Sequence, residues 1–162
     1  MSLSSSVPSV LASRRRRSGP STATRSMSNP LVAVSSGHAF TIGAVWLACC
    51  DVRIGERGNY KYGMTEVALN VPFSPWPLEP LKERIDRRHL VPALLHSRIY
   101  DPPGALEAGF IDQLVDAGIG MDTAMSTARE LAGLPGRAYG LSKRELRREA
   151  LQIMAADLEA AG

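Results

Sequence analysis

Between Leu31 and Ile54 the chain reads as strand, tight turn, helix, strand, and no other segment constrains the fold as strongly. Leu31, Val32, Ala33 and Val34 form a short apolar run of the kind a buried strand needs, and Ser35, Ser36 and Gly37 break it. The stretch from Gly43 to Cys50 is apolar and rich in small residues, which fits a buried helix starting near Thr41 or Ile42; Asp51 to Ile54 then reads as the next strand. Strands alternating with helices in this way indicate an α/β fold with parallel strands. A helix entered through such a turn points its first unpaired N–H groups, and the positive end of its dipole, into the space above the strand. An anion fits there.

Further along, a turn around Gly55 to Asn59 leads into a strand at Tyr60 to Gly63, and Glu66 falls near a strand end, with Val67 to Val71 as a possible extension. Pro72, Pro75, Pro77 and Pro80 are expected to interrupt any regular element. Leu78 to Ile85 and Arg88 to His96 have helical spacing, Gly104 to Ala108 reads as a short helix and Phe110 to Val115 as a strand. Asp122 serves as an N-cap for a helix through Leu131, stopped by Gly133 and Pro135. Ser142 and Glu145 form a capping box opening the last helix, whose apolar stripe is Leu146, Ala150, Ile153, Met154 and Leu158.

Charge divides the 162 residues into two unlike parts. Residues 1–29 hold five arginines (Arg14, Arg15, Arg16, Arg17 and Arg25), many serines and no acid, and are expected to be disordered. Such a leader suits a transit peptide, a basic nucleic-acid-binding tail, or sequence upstream of a misread start. Residues 30–162 carry 14 basic against 16 acidic residues, so the net +3 of the whole chain does not mark the folded part as a nucleic-acid binder. Cys49 and Cys50 are the sole cysteines, adjacent on the apolar helix, and read as buried thiols; they cannot complete a four-ligand zinc site. His89 and His96 have no metal-ligand partner at useful spacing, so no metal is assigned. Without a run long enough to span a bilayer or a signal-peptide core, the expected location is cytoplasmic, with mitochondrial as the alternative.

Three segments carry a resemblance. Gly37-His38-Ala39-Phe40-Thr41-Ile42-Gly43, then Cys50-Asp51-Val52-Arg53-Ile54, then Tyr62-Gly63-Met64-Thr65-Glu66 resemble the signature of the crotonase family, the enoyl-CoA hydratases and isomerases, without a gap in spacing. Ile99 to Pro102 and Ala105 to Asp112 continue it, so the likeness runs from about Pro30 to the C-terminus. It implies a crotonase-like ββα superhelix with a helical, trimerising C-terminal region, here without the family's N-terminal half. It also implies an acyl-CoA thioester as substrate, with coenzyme A part of that substrate and no separate cofactor, and a trimer or hexamer if the full domain is present.

The same resemblance gives the residues roles. Glu66 becomes the proton-transferring base and the Ile42 N–H an oxyanion donor, with Phe40, Thr41, Gly43, Phe73 and Trp76 about the substrate. Read by itself, Glu66 is an ordinary solvated glutamate, His38 a loop-fixing residue, and Phe73 and Trp76 core aromatics that can also line an acyl pocket. The family's hydratases carry a second glutamate where Val45 stands, and the Pro72-Phe73-Ser74-Pro75-Trp76 stretch is similar to the isomerases, so isomerisation of a 3-enoyl-CoA to a 2-enoyl-CoA is the expected reaction. The competing expectations are a hydratase and a catalytically inactive fragment; the family's first oxyanion donor belongs to an earlier strand-turn unit. Lys143, Arg144, Arg147 and Arg148 are expected to form a solvated face, or else to meet coenzyme A phosphates.

Overall fold

The computed structural model describes the backbone of residues 9–12 and the whole of residues 28–160. Strands β1 (Ser9–Ala12), β2 (Leu31–Ser35), β4 (Val52–Glu56) and β6 (Gln113–Val115) form one sheet in the order β1-β2-β4-β6. Pairs β2–β4 and β4–β6 are parallel, and β1 is antiparallel to β2. A second, two-stranded parallel sheet joins β3 (Ala39–Phe40) to β5 (Tyr62–Gly63). Each strand pair along the chain, β2 with β3 and β4 with β5, thus gives its first member to the larger sheet and its second to the smaller. Helix α1 (Ile42–Cys49) follows the first pair.

Strand β2 is buried on both faces, as strands of parallel sheets are. Ala33 faces one hydrophobic cluster with Leu47, Tyr62, Met64, Leu81 and Phe110, whereas Val32 and Val34 face a second with Ile54, Val115 and Ala124. Alternation along one strand therefore separates two cores. The remaining helices are α2 (Pro75–Arg84), α3 (Leu90–Leu94), α4 (Pro102–Ala108), α5 (Gly120–Ala132), α6 (Gly136–Leu146) and α7 (Arg148–Ala160). The turn from α4 to β6 requires Gly109: its φ is +86°, and a Cβ there would stand 2.4 Å from the Arg84 carbonyl oxygen.

Several sequence expectations are corrected. Ser9–Ala12, within the stretch expected to be disordered, pairs with the otherwise open edge of β2; the other residues of 1–27 lie outside the described residues. The prolines do not break the chain between Pro75 and Pro80. They start α2, because Pro75 and Pro77 fall in a first turn whose N–H groups have no partner within the helix. Val67–Leu69 forms a 3₁₀ turn rather than a strand. Helix α5 begins at Gly120, whose N–H is taken by the buried Glu56 Oε1 at 2.9 Å, so a tertiary carboxylate displaces Asp122 as the cap. Ser142 and Glu145 lie inside α6 and cap nothing; the helix break falls at Arg147.

Candidate active site

The turn into α1 is strained where the sequence places the anion site. Thr41 has φ 48° and ψ −118°, a conformation that glycine adopts readily and a β-branched residue does not. Strain of this kind persists when neighbouring structure overdetermines it, and Thr41 is fixed on both sides. Its N–H donates to the Gly63 carbonyl at 3.1 Å, and its carbonyl accepts from the Val45 N–H at 3.1 Å. Nothing local neutralises the helix start: Thr41 makes no side-chain cap and the first turn contains no acid. Hence the Ile42, Gly43 and Ala44 N–H groups keep no partner inside the helix, and the positive end of the dipole is uncompensated.

Glu66 reaches the same end of the fold by the neighbouring strand. Phe40 and Gly63 are paired in parallel register, so Ile42 and Glu66 follow the carboxyl ends of adjacent strands, two and three residues on. Ligands of open parallel sheets bind outside such ends. Glu66 is half-buried, and its Oε2 is buried without a hydrogen-bond partner among the described residues. A polar oxygen so placed incurs a desolvation cost of about 1–3 kcal/mol that no contact among the described residues offsets.

The other residues singled out in the sequence have contacts of their own. The His38 Nδ1 accepts from the Lys61 N–H at 3.0 Å and its ring stacks on Phe40, so it holds the loop to the approach of β5. Phe73 and Trp76 pack, partly buried, against the larger core, and the Trp76 N–H donates to Asp157 Oδ2 at 2.9 Å. No Cβ-sized obstruction surrounds Gly43. Val45 is 2% exposed in the core, so the position at which the resemblance implies a second carboxylate in hydratases is apolar here. Among the described residues no three His, Cys, Asp or Glu side chains converge as a metal site.

The basic cluster is a solvated face only in part: Arg144 and Arg148 are exposed, whereas Lys143 and Arg147 turn inward. Lys143 is buried and pairs with Asp51 Oδ2 at 2.6 Å, and Arg147 donates to the Cys49 carbonyl at 2.9 Å and forms an ion pair with Asp51 Oδ1 at 3.3 Å. Arg84 donates to the carbonyls of Ala48 and Cys50, so the carboxyl end of α1 meets cations from α2 and from the α6–α7 junction. That is where cations oppose the negative end of a helix dipole. A cavity of about 240 Å³, lined in part by Trp46, Cys49, Arg147, Leu151 and Met154, lies at this carboxyl end and not beside Ile42. Glu56 and Arg84 carried no sequence signal, because the partners given above lie 34 to 64 residues away in the chain; Asp51 stood in a matched motif, but its cationic partners are more distant still. Arg53 and Asp112 join two of the matched motifs: the Arg53 N–H donates to Asp112 Oδ2 at 2.8 Å and its guanidinium pairs with the same carboxylate.

No family model matches the chain. It is 28% identical over 119 residues to the human mitochondrial enoyl-CoA delta isomerase 1, covering 73% of this chain and 39% of that protein. Among solved structures it is similar to an enoyl-CoA hydratase/isomerase family protein from Pseudomonas syringae, with TM-score 0.80 and 27% identity over 85% of this chain and 61% of the other. A probable enoyl-CoA hydratase from Mycobacterium tuberculosis gives TM-score 0.77 and 31% identity over 86% of this chain and 59% of the other. The chain spans about two fifths of the length of the curated relatives it matches. Among the described residues no helix is long and apolar enough to cross a membrane.

Proposed function

We propose that this chain, similar in fold and sequence to the enoyl-CoA hydratases and isomerases of the crotonase family, supplies the base and one oxyanion donor for isomerising a 3-enoyl-CoA to a 2-enoyl-CoA. The observation that carries this reading is the buried Glu66 Oε2, without a partner among the described residues, at the same sheet end as the uncapped start of α1. In the reaction Glu66 takes the proton from the carbon next to the thioester carbonyl. The electron pair left behind spreads into the double bond and onto the thioester oxygen, giving a dienolate. The Ile42 N–H, reinforced by the helix dipole, donates to that oxygen, and the protonated Glu66 returns its proton two carbons further along. One carboxylate completes the cycle with no net change in protonation.

Water addition is usually assisted by two carboxylates, and Val45 removes the second. A positioned base contributes roughly 10²–10⁴ in rate, and one oxyanion donor roughly 10²–10³. The family's other oxyanion donor belongs to a strand-turn unit upstream of the matched segments, so this function is that of a polypeptide carrying that unit as well. A site built for acyl-CoA thioesters in a trimer or hexamer, in the cytoplasm or in mitochondria, is part of the same proposal. Hydration is the second reading, favoured by the likeness to a probable hydratase. Product analysis with a 3-enoyl-CoA and with a 2-enoyl-CoA tests it: faster double-bond migration supports the isomerase, and faster water addition replaces it with the hydratase.

A further inference from the structure

Among the described residues Glu66 has no hydrogen-bond partner at Oε2 to fix its aim, so its position is set through its backbone. That backbone belongs to a tight turn. The N–H groups of Leu69 and Val71 donate to the Glu66 carbonyl at 3.0 and 2.8 Å, and Asn70 closes the turn in the left-handed conformation with φ 59°. Packing does not hold the turn, since Val67, Leu69 and Val71 are exposed. Its anchor comes from elsewhere. The Ala68 N–H donates to Ser97 Oγ at 3.2 Å, the one side-chain hydrogen bond made to residues 65–71 among the described residues.

Ser97 is itself strained, with φ 50°, where glycine would sit without cost. What serine adds over glycine is a hydroxyl, and that hydroxyl is on Ala68. The segment after Ser97 is rigidly attached to the strand that leads to Glu66. Tyr62 and Tyr100 exchange two N–H to carbonyl bonds, each 2.9 Å, and Ile99 Cδ1 lies within 2.7 Å of where a Gly63 Cβ would be. Ser97 thus ties the turn after Glu66 to the same framework that holds the strand before it.

We propose that Ser97 is a positioning residue for the base, a strained serine whose hydroxyl latches the turn that aims Glu66. The inference rests on the reading of Glu66 as the base, but its test needs no turnover. In the 162-residue chain, Ser97→Gly removes both strain and latch, whereas Ser97→Asn tolerates the left-handed backbone and keeps a side-chain oxygen. For Ser97→Gly the thermal midpoint should hold or rise, while amide exchange at Ala68 and Val71, read by NMR, accelerates about fivefold, the loss of one ordinary hydrogen bond. The Glu66 side-chain carboxyl resonance should shift with it, and Ser97→Asn should restore both signals. A merely structural serine would move stability and local order in the same direction. Unchanged exchange at Val71, or an unchanged Glu66 resonance, overturns the latch even if Glu66 proves essential; a working latch with a dispensable Glu66 overturns the positioning role along with the base.

Discussion

At the scale of single residues, Thr41 and Glu66 bear opposite signatures, one a strained backbone and the other a buried oxygen without a partner among the described residues. Thr41 occupies a conformation suited to glycine, and Thr41→Gly is expected to stabilise the chain by about 1–2 kcal/mol. For a chain of this size that is a rise in thermal midpoint of roughly 2–8 °C. Calorimetry checks it, and a lower midpoint would show that the Thr41 side chain makes a compensating contact. Cys50 gives a pH dependence. Burial, followed by the neighbouring Cys49 and Asp51, pushes its thiol up from 9.0 to about 11. A folded pKa above the unfolded one stabilises the fold below pH 9, and this contribution is lost as the pH rises toward 11. The loss amounts to about 2–3 kcal/mol. Urea midpoints should therefore fall more between pH 8 and pH 11 for the parent chain than for Cys50→Ala.

Among the elements, those determined by local pattern were legible in the sequence and those determined by distant partners were not. The apolar run at β2, the small-residue helix α1 and the short helix α4 announce themselves, because burial and spacing suffice. The prolines of α2 mislead a local reading because their effect depends on position within the helix. Helix α5 starts where Glu56 reaches it, and α6 ends where Arg147 turns inward, 64 and 98 residues from their respective partners Gly120 and Cys49. No local pattern records either. The Arg147 contacts also fix α1 from its far end. Arg147→Met leaves the Asp51 carboxylate and the Cys49 carbonyl short of a partner and should cost about 2–4 kcal/mol. Denaturant unfolding measures this, and a change below about 0.5 kcal/mol would class the contact with ordinary surface ion pairs.

For the molecule as a whole, the crotonase-like assignment was legible because three motifs recur at fixed spacing, and the fold brings two of them, through β3 and β5, to one sheet end. The candidate site was legible only in part. The sequence names Glu66 and Ile42, but the unpaired oxygen, the strain at Thr41 and the Ser97 contact appear only when distant strands are placed side by side. The central claim is that Glu66 moves the proton, and Glu66→Gln isolates it by keeping the shape and removing the base. The decisive measurement is double-bond migration in a 3-enoyl-CoA by a polypeptide that joins this chain to the upstream half of a crotonase domain. The account predicts a fall in kcat of roughly 10²–10⁴ for Glu66→Gln, with binding of the thioester retained. Turnover within a few-fold of the parent would contradict it.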